Sequence, residues 1–110
     1  MDTRGYIYVS DYSNCAVRII DKSGSVSTLY GTGVCQITYA TSGSSPTGTM
    51  GKPTGITIDP NDNVFVIDNT FSVIRAISPS GNMVTVAGNP AGKLKLFACA
   101  TLRQKLYQNP

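Results

Sequence analysis

The sequence predicts an all-β chain assembled from a repeated four-stranded antiparallel unit. Three observations carry that reading. A 27-residue stretch, residues 5–31, recurs at residues 62–88 with a constant shift of 57 positions and no gap. Short runs rich in Val, Ile and aromatic residues alternate with clusters of Gly, Pro, Asn, Asp and Ser. Every acidic residue is Asp and none is Glu, a bias toward turns rather than helices.

The repeat is specific at the level of single residues. Val9/Val66, Asp11/Asp68, Arg18/Arg75, Ile20/Ile77, Ser23/Ser80, Gly24/Gly81, Thr28/Thr85 and Gly31/Gly88 are identical pairs. Ile7/Val64, Tyr8/Phe65, Ala16/Val73, Val17/Ile74, Val26/Met83 and Leu29/Val86 exchange like for like. Fixed-period similarity marks an architecture in which one unit needs a neighbour to bury its apolar face.

In chain order, the first copy supplies three strands at residues 6–10, 16–20 and 26–30, ended by turn residues at Asp11, Asp21 and Gly31. A fourth, opening strand of this copy would lie before Met1. Residues 32–52 are rich in Gly, Ser and Thr and read as a long surface loop connecting the copies. The second copy, residues 53–88, opens on Pro53-Thr54-Gly55 and alternates Ile56 and Ile58 with Thr57 before the turn Asp59-Pro60-Asn61-Asp62. Further strands follow at 64–67, 73–77 and 83–87, broken by Asp68-Asn69, by Ser78-Pro79-Ser80-Gly81 and by Gly88. Val64-Phe65-Val66-Ile67 is apolar on both faces, so this sheet must be covered on both sides. Residues 89–110 form a basic connector with no Gly or Pro between Lys93 and Gln108. Leu94, Phe97, Ala98, Thr101, Leu102 and Lys105 fall at helical spacing there, which predicts a short amphipathic helix.

Composition sets bounds on function. With 41% hydrophobic and 14% charged residues the chain is globular, and its net charge of +3 does not by itself indicate nucleic acid or membrane. No segment has the apolar length of a membrane span. If Met1 is the true start, nothing ahead of the first strand directs export, and the cytosol is expected. Cys15, Cys35 and Cys99 form no C-x-x-C motif and none recurs at the 57-residue shift. Ordinary reduced cysteines are the first reading; a Cys15–Cys35 bridge in a secreted parent is the alternative.

The absence of His removes Ser-His and Cys-His nucleophiles, and the absence of His and Glu removes the usual zinc sets, so an enzyme is not expected and no cofactor motif is present. Asp59-Pro60-Asn61-Asp62-Asn63 resembles an oxygen-rich calcium loop only faintly and reads as a turn. Asp11 and Asp68 end equivalent strands, each with an Arg seven residues on (Arg18, Arg75). A pair stamped on each copy reads as scaffold: the Asp accepts turn amides and fixes its Arg. Tyr6 and Tyr8 share a strand face and read as packing rather than as a base-stacking platform. Lys93, Lys95, Arg103 and Lys105 are the candidates for contact with phosphate or anionic lipid, against a bland reading as a solvated connector.

"PTGITIDPNDNVFVIDNTFSVIRAISPSGNMVTVAG" and "GYIYVSDYSNCAVRIIDKSGSVSTLYG" resemble NHL repeats. The shared pattern runs Pro-x-Gly-Ile, a Gly or Asn turn, Val-Tyr-Val-x-Asp, Arg-Ile, Ser-Gly and Thr-x-x-Gly, carried here by Pro53, Gly55, Asp11/Asp68, Arg18/Arg75, Gly24/Gly81 and Gly31/Gly88. The resemblance implies a β-propeller fragment of four-stranded blades, under two complete blades in this chain. Further blades would come from a longer parent chain or from self-association. It also implies a protein-binding scaffold whose contact surfaces are the loops at residues 12–15, 32–51 and 69–72. Family resemblance leaves two other expectations: an RNA-binding basic face, and a lyase or hydrolase completed by blades outside this chain.

Overall fold

A computed structural model describes residues 1–88. The expected helix, Cys99 and the four bases of the 89–110 connector lie outside the described residues. The described chain is all-β, with a single 3₁₀ turn at Tyr12–Asn14. Strands β1 (Ile7–Asp11), β2 (Ala16–Ile20) and β3 (Val26–Tyr30) form a three-stranded antiparallel sheet in that order. Strands β4 (Ser42–Ser44), β5 (Pro53–Ile58), β6 (Val64–Asp68), β7 (Val73–Ile77) and β8 (Asn82–Gly88) form a five-stranded sheet ordered β4-β8-β7-β6-β5.

Both copies fold in the same register. Asp11 pairs with Ala16 as Asp68 pairs with Val73, and Arg18 pairs with Thr28 as Arg75 pairs with Thr85. A bulge falls at the same step in each, between Val17 and Arg18 and between Ile74 and Arg75. Left-handed backbone recurs at the same shift: Gly5 and Asp62, Cys15 and Ser72, Gly24 and Gly81, Gly31 and Gly88. At Gly31 and Gly88 that conformation coincides with close approach. A Cβ would meet the Ala16 Cα at 2.8 Å in one copy and the Val73 Cα at 2.7 Å in the other, so only glycine fits.

The repeat also reaches further back than residue 5. The Asp2 amide bonds the Tyr6 carbonyl as Asp59 bonds Asn63, and the Asp2 carboxylate accepts the amides of Arg4 and Tyr6 as Asp59 accepts those of Asn61 and Asn63. Asp2 and Asp59 are identical, but Thr3/Pro60 and Arg4/Asn61 between them hide the match in the sequence.

One correction concerns the connector at 32–52. It is not a plain loop: β4 pairs along β8, and flanking backbone bonds run from Thr85 to the Thr41 carbonyl and from Ser45 to the Gly81 carbonyl. Ser-Gly-Ser has no strand propensity of its own. The unpaired edge of β8 supplies the partner, so pairing there is a property of the neighbour.

The two sheets pack face to face. Residues opposite one another in an antiparallel pair share a face, so Tyr8, Ile19, Val17 and Tyr30 look one way from the first sheet. They meet Val64, Val66, Ile77 and Met83 of the second sheet in one core, with Leu29 and Met50, and Ile56 and Ile58 at its margin. Tyr30 is fully buried and its ring runs under the connector, where Gly43 and Gly48 leave it room; a Cβ at Gly48 would stand 2.6 Å from Cζ of that ring.

Candidate functional site

The repeated Asp–Arg pair organises one end of the second sheet. Asp68 closes β6, the chain turns through residues 69–72, and Arg75 sits on β7 opposite Val66. Its guanidinium donates from Nε to Asp68 Oδ2 at 3.1 Å, from Nη1 to Thr85 Oγ1 at 2.6 Å and to the Ala40 carbonyl, and from Nη2 to Gln36 Oε1 at 3.0 Å. Asp68 Oδ2 also accepts the Gly51 amide at 2.9 Å. Both side chains are fully buried. Two rings stand near it, with centroids 5.0 Å (Tyr39) and 5.8 Å (Phe71) from the guanidinium carbon, and they meet each other edge-on at 5.5 Å.

The first copy repeats the pair in a wetter setting. Arg18 Nε donates to Asp11 Oδ2 at 3.0 Å and Nη1 donates to Thr28 Oγ1, with both charged side chains nearly a third exposed. Hydrogen bonds from Asn14 and then Arg18 hold the Asp11 carboxyl below its usual range. The four residues thus meet as two separate Asp–Arg–Thr clamps, one per copy. Each spans a hairpin and its neighbouring strand, and the backbone amide that Asp68 accepts is that of Gly51 in the connector rather than one of its own turn, where amides are expected from the sequence. Thr28 and Thr85, identical in the repeat, were the third member that pattern reading of the Asp–Arg spacing alone did not supply.

The loops at residues 12–15, 32–51 and 69–72 come together at this end. Cys15 and Cys35 are joined by a disulfide, which replaces the reduced-cysteine reading with its alternative. Cys15 takes the left-handed position of a tight hairpin, which presents its side chain to the connector; neither cysteine has a repeat counterpart, so periodicity carries no signal for the pairing. Beyond the disulfide, the Gln36 amide bonds the Met50 carbonyl, Asn69 bonds Lys52, and the Lys52 amide bonds Thr70 Oγ1. Lys52 Nζ lies 5.1 Å above the Tyr12 ring. On this tied platform Tyr12, Val34 and Ile37 stand 45%, 65% and 92% exposed.

The opposite end carries a second polar cluster. Asp2 accepts hydrogen bonds from Arg4 and Tyr6 amides, from the Arg4 side chain and, at 2.6 Å, from the Tyr8 hydroxyl. Burial opposes ionisation of Asp2, but the bonds from Tyr8, Tyr6 and Arg4 outweigh it and hold the carboxyl below the usual range. Burial and the neighbouring Asp2 push the Tyr8 phenol up to about 12. Thr3 bonds Asp62 through amide and hydroxyl, tying the equivalent turns of the two copies. Residues 59–63 form a turn closed on the Asp59 carboxylate, as expected. Among the described residues no group of three or more His, Cys, Asp or Glu could hold a metal ion. An open groove of about 310 Å³ between β1 and β5 is lined by Met1, Ile7, Tyr8, Ile56, Thr57 and Ile58.

The remaining signature residues sit at strand starts and turns. Pro53 opens β5 opposite Asp68, and a Cβ on Gly55 would press Ile67 at 3.0 Å. Gly24 and Gly81 turn their hairpins in left-handed backbone. Among the described residues no helix is long and apolar enough to cross a membrane. In comparisons with known proteins, no family model and no curated protein matches the chain.

Proposed function

We propose that the chain is part of an NHL-type β-propeller and serves as a scaffold for binding protein partners, through the loops gathered at the Asp68–Arg75 end of the sheets. One observation carries the reading. Three loops, set apart in sequence, are held together by a disulfide and a buried Arg clamp, and they present exposed apolar side chains. Rigid loops with a few exposed aromatic or aliphatic side chains suit protein contact, because little ordering entropy is lost on binding. Repeated sheets stacked face to face support the propeller part of the reading.

Photo-cross-linking in cells that make the protein tests this. A photoreactive residue at Ile37 should capture discrete proteins, and Tyr12→Ala should abolish that capture. The same group at Ser23, in the hairpin loop at the other end, should capture none of them. Equal capture from both ends, or adducts removed by ribonuclease, would overturn the proposal.

A further inference from the structure

We propose that the open edge of β1 docks an extended segment of a partner protein, which adds to the first sheet as a fourth antiparallel strand. The 57-residue repeat specifies the place. In the second copy β5 runs along β6, with Ile56 opposite Val66 and Thr57 opposite Phe65. The counterparts of Phe65 and Val66 in the first copy are Tyr8 and Val9 of β1. Among the described residues β1 pairs with β2 alone, so its other edge presents backbone donors and acceptors that no strand takes up. Where the repeat has a strand there is a groove instead. Met1, Ile7 and Tyr8 line it on one side, and Ile56, Thr57 and Ile58 of β5 on the other. Met1 stands at the place of Ile58, so an incoming segment fills the places of Pro53 to Thr57 and ends against it.

The side chains along this edge specify the chemistry of the segment. In the second copy Gly55 lies against Ile67, where a Cβ would press Cδ1 at 3.0 Å. The counterpart of Ile67 in β1 is Ser10, a smaller residue whose hydroxyl oxygen is buried and has no hydrogen-bond partner among the described residues. A buried hydroxyl left without a partner is unfavourable and uncommon in folded chains. A segment carrying Ser or Thr at the place of Gly55 uses the room that Ile67 takes up in the other copy and bonds that hydroxyl. At the place of Ile56 the neighbours are Val9 and Ile7, which share a strand face and are 40% and 47% exposed. A β-branched apolar residue fits there. The partner segment is therefore an extended run with a small hydroxyl residue followed by Ile or Val, held by main-chain bonds and selected by those two side chains. This edge is separate from the loop-end contact surface, and the inference does not rest on it.

Synthetic peptides test it on the full chain. The probe is the sequence of residues 52–57 with capped termini, Lys-Pro-Thr-Gly-Ile-Thr, beside a version with Ser in place of the Gly. The Ser peptide should bind saturably and about fivefold tighter than the Gly peptide, as one added hydrogen bond gives. Binding should raise hydrogen-exchange protection at amides of β1 and leave β3, the other edge of the same sheet, unchanged. Ser10→Ala should erase the preference between the peptides, and Ser10→Ile should reverse it. Circular dichroism confirms that the sheets persist, and Ser10→Ala decides the comparison if Ser10→Ile unfolds. No saturable binding, protection gained at β3, or an unchanged preference in Ser10→Ala would each overturn the proposal. So would β1 amides already protected without peptide in a chain whose sedimenting mass rises with concentration, because the occupant would then be a second copy.

Discussion

Removing the Asp68 carboxylate leaves the Arg75 guanidinium short of its ionic partner in a site closed to water, and the Gly51 amide short of its acceptor. An unpaired buried charge costs about 3–5 kcal/mol, a large share of the stability of a small domain. Asp68→Ala should therefore lower the denaturant midpoint severely. Repeat symmetry alone predicts an equal loss for Asp11→Ala, but Asp11 and Arg18 remain in contact with water, so the expected loss there is much smaller. Comparable midpoints for the two variants would show that the clamps are equivalent. The Asp2–Tyr8 contact sets a pH window at the same scale. Asp2 has a depressed folded pKa, so its contribution is present above the unfolded value of about 3.9 and is lost as pH falls through the folded value. The Tyr8 pKa is raised, so its contribution is complete below about 10 and is lost as pH rises toward about 12. Midpoints measured across pH should fall on both sides, and Tyr8→Phe should remove the alkaline loss and also weaken the acid one, because the Tyr8 hydroxyl is the foremost donor holding Asp2 ionised.

At the scale of elements, the repeated strands and the irregular connector hold each other. Strands β1–β3 and β6–β8 were legible because much of their turn chemistry recurs at the 57-residue shift, Gly31 with Gly88 above all, and β5 was legible from Ile56 and Ile58 alternating with Thr57 before a turn cluster. The connector was not legible, for a physical reason. Its strand β4 forms on a borrowed edge, and Gln36 and Ala40 act only by reaching Arg75 from 39 and 35 residues away. No local propensity encodes such contacts. The disulfide is the one covalent tie in this arrangement, and it closes a span of 20 residues. Constraining a loop of that size stabilises a fold by about 3 kcal/mol in the chain-entropy model. Reduction should lower the midpoint by that order and open the Cys15 and Cys35 thiols to alkylation. Because it also loosens the chain carrying Gln36 and Ala40, amides of β7 near Arg75 should lose hydrogen-exchange protection. Protection confined to its old pattern after reduction would show that the clamp stands without the disulfide.

For the whole molecule, sequence identity and burial part company, and that separation makes the stacked-sheet arrangement testable. Val9 and Val66 are the same residue at the same place in the repeat, and each opposes an Arg across a hairpin. Val66 is sealed between the sheets, whereas Val9 is 40% exposed on the outer face. Val66→Ala should thus cost about 1–3 kcal/mol through lost burial and the cavity left behind. Val9→Ala should stay within about 0.5 kcal/mol, as exposed substitutions do. Equal costs would mean that the two sheets are not stacked in the order of the repeat, because a strand position common to both would then be buried in both.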